Sequence, residues 1–413
     1  MFDGHDHVNL IALERIDRAT DPCGLPCIRA PRRRRLFGRW AFIYSRPLPA
    51  ASSAWVGFVR NHLVFHEPVE DLIVVVVMRP GCTQEHVQHV VKLIREMGLR
   101  DHVIVGTDRT VIAAIGDKRQ MDKSVIELAP MVERCVPILA PFKLASKEVK
   151  VEPTVVPLDG AGAKIGGHCR IGVIAGPCSV EDRTMLLETA HAVAEAGAVG
   201  LRGGAFKPRT NPYSFQGLGE KGLEILAEAR DRTGLAVVTE VMSAEHVERI
   251  AQYADVLQIG TRNMHNFHLL HAVGCTDRTV LLKRGMSATL EEFLLAAEYV
   301  INAGNSKVIL CERGIRTHED YVRNTLALSI VPAIKQESHL PIIVDPSHGT
   351  GHAYMVAPMS KAAIACGADG LIIEVHPDPP HALTDGAQSI TPEAFARLMR
   401  ELRAVAVAIG RDL

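Results

Sequence analysis

The sequence predicts an α/β protein: a (β/α)8 TIM barrel preceded by a small ferredoxin-like α+β domain. Three observations carry that prediction. From residue 171 onward, eight short apolar runs alternate with amphipathic stretches, the pattern of a parallel sheet covered by helices. Each run hands over to a charged or small polar motif, and barrel enzymes build their sites at that end of their strands. Ahead of them, residues 72–140 read β-α-β-β-α-β, the split unit of ferredoxin-like folds.

Composition narrows the function classes. The chain has 413 residues, 23% charged and 47% hydrophobic, with a formal net charge of −1. No global field favours nucleic acid or an anionic membrane, so anion binding must come from local clusters. No apolar run approaches the ~20 residues of a membrane span. The nine cysteines are scattered, which suggests free thiols in a reducing, cytoplasmic setting.

In chain order, residues 1–68 hold Arg32-Arg33-Arg34-Arg35 and several prolines without a sustained period; an irregular or disordered extension is expected. Asp3, Asp6, Glu14, Asp17 and Asp21 argue against a transit peptide. Leu72–Met78 is a buried strand, and Thr83–Met97 carries apolar residues at helical spacing before Gly98. His102–Val105 and Thr110–Ile115 are strands, Asp122–Leu128 a short helix and Arg134–Leu139 a last strand. No residue set there resembles a catalytic centre, so a regulatory or oligomerising module is expected. Residues 141–152 read as a linker, and Val155–Gly167 as a hairpin around Asp159-Gly160 that opens the barrel domain, 153–405.

The barrel strands are expected at Ile171–Ala175, Ala198–Leu201, Leu235–Thr239, Val256–Ile259, Val280–Leu282, Val308–Leu310, Ile342–Val344 and Leu371–Ile373. Helical patterns lie between them, among them Arg183–Ala196, Lys221–Thr233, Ala244–Tyr253, Leu290–Ala303, Glu319–Gln336 and Ser360–Cys366. No G-x-G-x-x-G follows a strand, which argues against dinucleotide binding.

The densest motif is Arg202-Gly203-Gly204-Ala205-Phe206-Lys207-Pro208-Arg209-Thr210, after the second strand. Its cations suit phosphate or carboxylate, and its glycines let the backbone approach a ligand. With Arg262, Lys283 and Arg313, the cations are too many for one phosphate. Two anionic substrates, or one with several anionic groups, fit better. A second group is Cys178, His348, Glu374 and Asp385, with Asp345 and His376 nearby in sequence. A thiolate, an imidazole and two carboxylates suit a borderline divalent ion such as Mn, Fe, Co or Zn, which would polarise a carbonyl or activate water. Other readings stay open: Cys178 as a nucleophile with His348 as its base, Lys283 as a Schiff-base lysine, and Asp345 as a turn cap.

The segments Ile174–Glu181, Leu201–Leu218, Gln258–Met264, Leu282–Gly285, Cys311–Ile315, Val344–Gly351 and Ile373–Pro379, with Thr384–Ser389, resemble the 3-deoxy-D-arabino-heptulosonate 7-phosphate (DAHP) synthase family. The likeness is to its type I beta-like branch, in which a ferredoxin-like or ACT-like regulatory domain precedes the barrel. It spans residues 72–405; Thr384 and Ala387 depart from the serine and proline expected. The resemblance implies a transferase that condenses phosphoenolpyruvate with erythrose 4-phosphate, the first step of the shikimate pathway. It implies Cys178, His348, Glu374 and Asp385 as metal ligands. Arg202, Lys207, Arg262, Lys283 and Arg313 would bind phosphoenolpyruvate, and Lys207-Pro208-Arg209-Thr210 the aldose. Lys207 would be the proton donor. An aromatic amino acid effector and a homotetramer or homodimer are also implied. Two alternatives stand beside it: a synthase that uses arabinose 5-phosphate, and a non-catalytic phosphosugar sensor.

Overall fold

The computed structural model describes residues 71–413, apart from 107–108, 118–122, 139–140, 159–161 and 208–210. The extension expected at 1–68 lies outside the described residues, as does Asp159-Gly160.

The first module is β1 (Asp71–Met78), α1 (Gln84–Glu96), β2 (Arg100–Val105), β3 (Thr110–Asp117), α2 (Lys123–Glu127) and β4 (Val132–Ile138). Its strands form an antiparallel sheet in the order β2-β3-β1-β4. The side chains alternate between two faces, as strand geometry requires. Val76, Met78, Ile112 and Ala114 pack with Val90 and Ile94 of α1 and Ile126 of α2. Val75, Val77, Val111, Ala113 and Ile115 face the other way, into a cluster that includes Phe142 and Leu144. The two central strands, β1 and β3, are therefore buried on both faces, and that is why they read as continuous apolar runs.

The segment expected as a linker is stitched to the barrel. The Glu298 carboxylate accepts the backbone N–H of Leu144 at 2.6 Å and of Ala145 at 2.9 Å. Ser338 Oγ donates to Ala145 O, and His339 Nε2 meets Leu144 O at 2.8 Å. A hairpin follows, β5 (Val155–Leu158) paired with β6 (Ala163–Gly166). It packs Val156, Leu158 and Ile165 against the barrel interior.

The barrel strands are β7 (Gly172–Gly176), β8 (Gly200–Arg202), β9 (Ala236–Val241), β10 (Val256–Ile259), β11 (Thr279–Lys283), β12 (Val308–Glu312), β13 (Ile342–Val344) and β14 (Gly370–Glu374). All eight are parallel, and they close in sequence order with β14 beside β7. Outside them lie α3 (Arg183–Ala196), α4 (Glu220–Thr233), α5 (Val247–Ala251), α6 (Phe267–Gly274), α7 (Leu290–Asn302) and α8 (Ile330–Glu337). A short α9 (Pro346–Thr350) precedes α10 (Ala353–Ala365), and α11 (Pro392–Ala408) ends the ring. Capping follows the sequence: Asp182 caps α3, and Thr289 with Glu292 forms a capping box on α7.

One expectation is corrected. The helix predicted over Glu319–Gln336 begins only at Ile330. The residues before it spend their backbone hydrogen bonds elsewhere. Arg323 N–H donates to Thr350 O at 2.9 Å, Asn324 N–H to Gly349 O at 3.0 Å, and Ile315 pairs with Thr325. The helical period of the apolar residues hid a loop laid along the mouth of the barrel.

Candidate active site

A two-residue period builds the site. Val238, Leu281, Ile309, Ile343 and Ile372 fill the barrel interior. Two positions further along the same strands, the same side of the chain presents Glu240, Lys283, Cys311, Asp345 and Glu374. Arg313 follows Cys311 at the same spacing. The residues of opposite parity serve the scaffold. Arg284 Nη1 meets Glu312 Oε2 at 3.0 Å, and Glu312 Oε1 accepts the N–H of Gly314 at 2.6 Å. The Lys283-Arg284 and Glu312-Arg313 pairs thus divide, one member lining the mouth and the other bracing it.

Cys178, His348, Glu374 and Asp385 each turn a ligand atom to one point, with all four atoms within 4.8 Å of one another. Cys178 Sγ lies 3.2 Å from Asp385 Oδ2, and His348 Nε2 lies 3.3 Å from Glu374 Oε1. Glu374 Oε1 is buried without a hydrogen bond of good geometry, and Arg202 Nη2 stands 3.1 Å from it. An S, N, O, O donor set converging on one point fits a borderline divalent cation.

The surroundings tune each donor. Burial pushes the Cys178 thiol up to about 12, reinforced by Glu374 and opposed by Lys207; metal binding must therefore expel its proton. Burial also brings the His348 imidazole down to about 4, against the pull of Asp345. Burial raises Asp345 as well, but His348 and Lys283 outweigh it and hold the acid well below the usual range. His348 Nδ1 lies 2.7 Å from ionised Asp345 Oδ2, so Nδ1 carries the proton and Nε2 offers its lone pair to the cluster. The Asp385 loop is latched from three sides. Leu383 N–H donates to Glu181 Oε1, Thr384 meets Ser179 at 2.6 Å, and Ser389 Oγ donates to Asp385 O. Asp385 itself sits in the left-handed region at φ 50°, a conformation that an aspartate adopts more readily than most residues. His376 is buried, with its Nδ1 accepting the Asp378 N–H at 3.0 Å and its Nε2 3.4 Å from Glu181 Oε2.

Next to this cluster lies a cavity of about 340 Å³ lined by Arg202, Lys207, Arg262, Lys283 and Arg313, with His348 and Asp385 on its wall. Lys207 Nζ donates to Cys178 Sγ at 3.1 Å and to Cys178 O at 3.2 Å. Arg202 is buried with Nε and Nη1 unpartnered, donors free for an anion. Pro208, Arg209 and Thr210 lie outside the described residues; Asn211 and Ser214 just beyond them line the cavity.

The sequence profile of the DAHP synthetase I family matches residues 145–408, and that of the DAHP synthase ferredoxin-like domain matches residues 74–140. The chain belongs to the DAHP synthetase I family. It is 53% identical over 336 residues to a phospho-2-dehydro-3-deoxyheptonate aldolase of Thermotoga maritima, covering 81% of this chain and 98% of that protein. A 2-dehydro-3-deoxyphosphooctonate aldolase of Nitratidesulfovibrio vulgaris is 34% identical over 260 residues, 58% of this chain and 94% of the relative. Among solved structures, the Thermotoga maritima DAHP synthase aligns with a TM-score of 0.65 at 52% identity, over 82% of this chain and 99% of the other. A truncated form of that enzyme aligns at 0.61 and 52% identity, over 66% and 98%.

In this DAHP synthetase I barrel, sequence reasoning left several lining residues without a role, among them Glu240, Gln258, Arg316 and Arg323. The parity of β9 and β10 was the signal available for Glu240 and Gln258. Arg316 and Arg323 fall on the loop that precedes α8, where the apolar spacing from Glu319 onward imitates a helix. No helix among the described residues is long and apolar enough to cross a membrane.

Proposed function

We propose that the chain is a 3-deoxy-7-phosphoheptulonate synthase, condensing phosphoenolpyruvate with erythrose 4-phosphate and releasing phosphate, at the entry to the shikimate pathway. The observation that carries this is one cavity in which seven cations adjoin a thiol, an imidazole and two acids. Two phosphorylated substrates account for the cations. Cys178, His348, Glu374 and Asp385 would hold a divalent ion (Mn, Fe, Co or Zn), which when bound supplies Lewis acidity toward an aldehyde carbonyl.

The chain's own groups do the rest. Arg202, Lys283 and Arg313, from separate strands, hold the carboxylate and phosphate of phosphoenolpyruvate, with Arg262 at the open side. C3 of phosphoenolpyruvate then attacks the aldehyde carbon, and water adds at C2. Phosphate leaves by cleavage of its C–O bond. Lys207 donates a proton to the oxygen that was the aldehyde's. Burial lowers its ammonium, but Cys178 and Glu240 outweigh that and keep it charged. Pro208, Arg209 and Thr210 receive the aldose phosphate, in keeping with the family resemblance.

The test is phosphate release from both substrates with each divalent metal, and with arabinose 5-phosphate in place of erythrose 4-phosphate. Faster turnover with the four-carbon sugar is expected. Preference for arabinose 5-phosphate would assign the chain to the activity named for its more distant relatives. No release with either sugar would leave a phosphosugar sensor. The free thiols of Cys82, Cys135 and Cys169 suit a reducing cytoplasm. Residues 72–140 are proposed to bind an aromatic amino acid, tyrosine or phenylalanine, in a homotetramer or homodimer. Inhibition by one of these that disappears on removal of the module would support it.

A further inference from the structure

Both acidic members of the cluster are held at their outer oxygens, and a single guanidinium stands behind both holds. Arg323 Nη1 donates to Gln388 Oε1 at 2.7 Å and lies 3.3 Å from Asp385 Oδ1. Gln388 Nε2 in turn donates to Glu374 Oε2 at 2.6 Å. A guanidinium only donates and a carboxylate only accepts, so the amide between them has one permitted orientation. The outer oxygens, Asp385 Oδ1 and Glu374 Oε2, are thereby occupied. The inner oxygens face the cluster, Asp385 Oδ2 toward Cys178 and Glu374 Oε1 toward His348, with Arg202 Nη2 3.1 Å from the latter oxygen.

The same loop grips the third ligand segment. Asn324 Nδ2 donates to His348 O at 3.0 Å, beside the backbone bonds from Arg323 and Asn324 to Thr350 and Gly349. The fit is close at Gly351: its φ is +77°, and a Cβ there would stand 2.6 Å from Arg323 Cβ. A larger residue at 351 would push the guanidinium off its partners.

We propose that Arg323 and Gln388 are positioning residues that restrict Glu374 and Asp385 to one-oxygen ligation, and so set the coordination number of the bound ion. This rests on the metal reading above. A carboxylate with an unheld second oxygen is free to swing and bind through both, as acidic ligands do in roomier oxygen sites. Four ligands of one atom each leave the ion positions for a substrate oxygen. Two-oxygen ligation would fill them.

The test uses the full-length chain titrated with Co(II), comparing wild type with Gln388→Leu, Arg323→Ala and Arg323→Lys. Wild type is expected to show thiolate-to-cobalt charge transfer and the strong visible bands of a four- or five-coordinate ion. Gln388→Leu and Arg323→Ala should keep the charge transfer while the visible bands weaken about threefold or more, as added carboxylate oxygens raise the coordination number. Arg323→Lys should recover part of the intensity. Arg323 lies on an exposed loop, so its variants carry the test if Gln388→Leu does not fold. Visible bands unchanged in variants that still bind cobalt would overturn the proposal with the metal site intact. Absence of charge transfer in wild type would overturn the metal reading, and this inference with it.

Discussion

Lys283 Nζ and Asp345 Oδ2 lie 2.5 Å apart, both buried, at the point where the cation-lined cavity meets the four-donor cluster. The same oxygen faces His348 Nδ1, so one carboxylate fixes both a cation of the cavity and the tautomer of an imidazole in the four-donor cluster. Replacing Asp345 by Asn removes the anion from both contacts while nearly keeping the shape. Asp345→Asn is expected to weaken metal affinity about 10–100-fold, read by competition with a chromogenic chelator. Affinity equal to wild type would refute the orienting role.

Lys207 touches the thiol but carries no ligand atom of the cluster. Lys207→Met should therefore keep metal bound while kcat falls about 10²–10⁴-fold. Metal analysis of the purified variant beside steady-state phosphate release separates the two effects. Loss of metal in parallel with activity would mean that Lys207 holds Cys178 in place and is not an acid.

His339 lies far from the mouth, buried between Leu144 O and Thr154 Oγ1. Burial brings its imidazole down to about 4, whereas an unfolded histidine titrates near 6.5. The unfolded chain binds the extra proton in that interval, so stability should be full above about pH 6.5 and fall as pH drops toward 4. The span corresponds to about 3 kcal/mol. Urea unfolding of wild type and His339→Gln across this range checks it. The variant should show a flatter slope, and identical slopes would contradict the prediction.

Glu298 is a carboxylate spent on main-chain N–H groups. Glu298→Ala would strand the N–H groups of Leu144 and Ala145 and is expected to destabilise the fold by about 3 kcal/mol. Chemical denaturation of the variant tests this; a loss below about 0.5 kcal/mol, the size of an ordinary surface change, would show that water replaces the carboxylate.

Much of this architecture is legible from residue order. The barrel strands announce themselves because they are buried on both sides, and Lys283 and Glu374 follow from a period of two. The four-donor cluster could be guessed from residue types, since Cys178, His348, Glu374 and Asp385 each end or follow a strand. The connections were less legible. Arg323 sits in a stretch whose apolar spacing mimics a helix, and only its tertiary hydrogen bonds to Thr350 and Gly349 decide otherwise. Gln388 could not be singled out at all. Its role depends on two partners, Arg323 and Glu374, that are distant in sequence and on the donor and acceptor order between them.

The stitched segment after residue 142 also decides where this protein can be cut. Leu144 and Ala145 are buried to within 1% of complete, and their main chain caps a charge that belongs to α7. Scissors placed at residue 145 or beyond would strip from the Glu298 carboxylate the main-chain N–H groups of Leu144 and Ala145. The product would look like evidence that the catalytic half needs its front module to survive. A cut ahead of Lys143 spares that wound, and only such a fragment lets a lost response to amino acids be told apart from a damaged barrel.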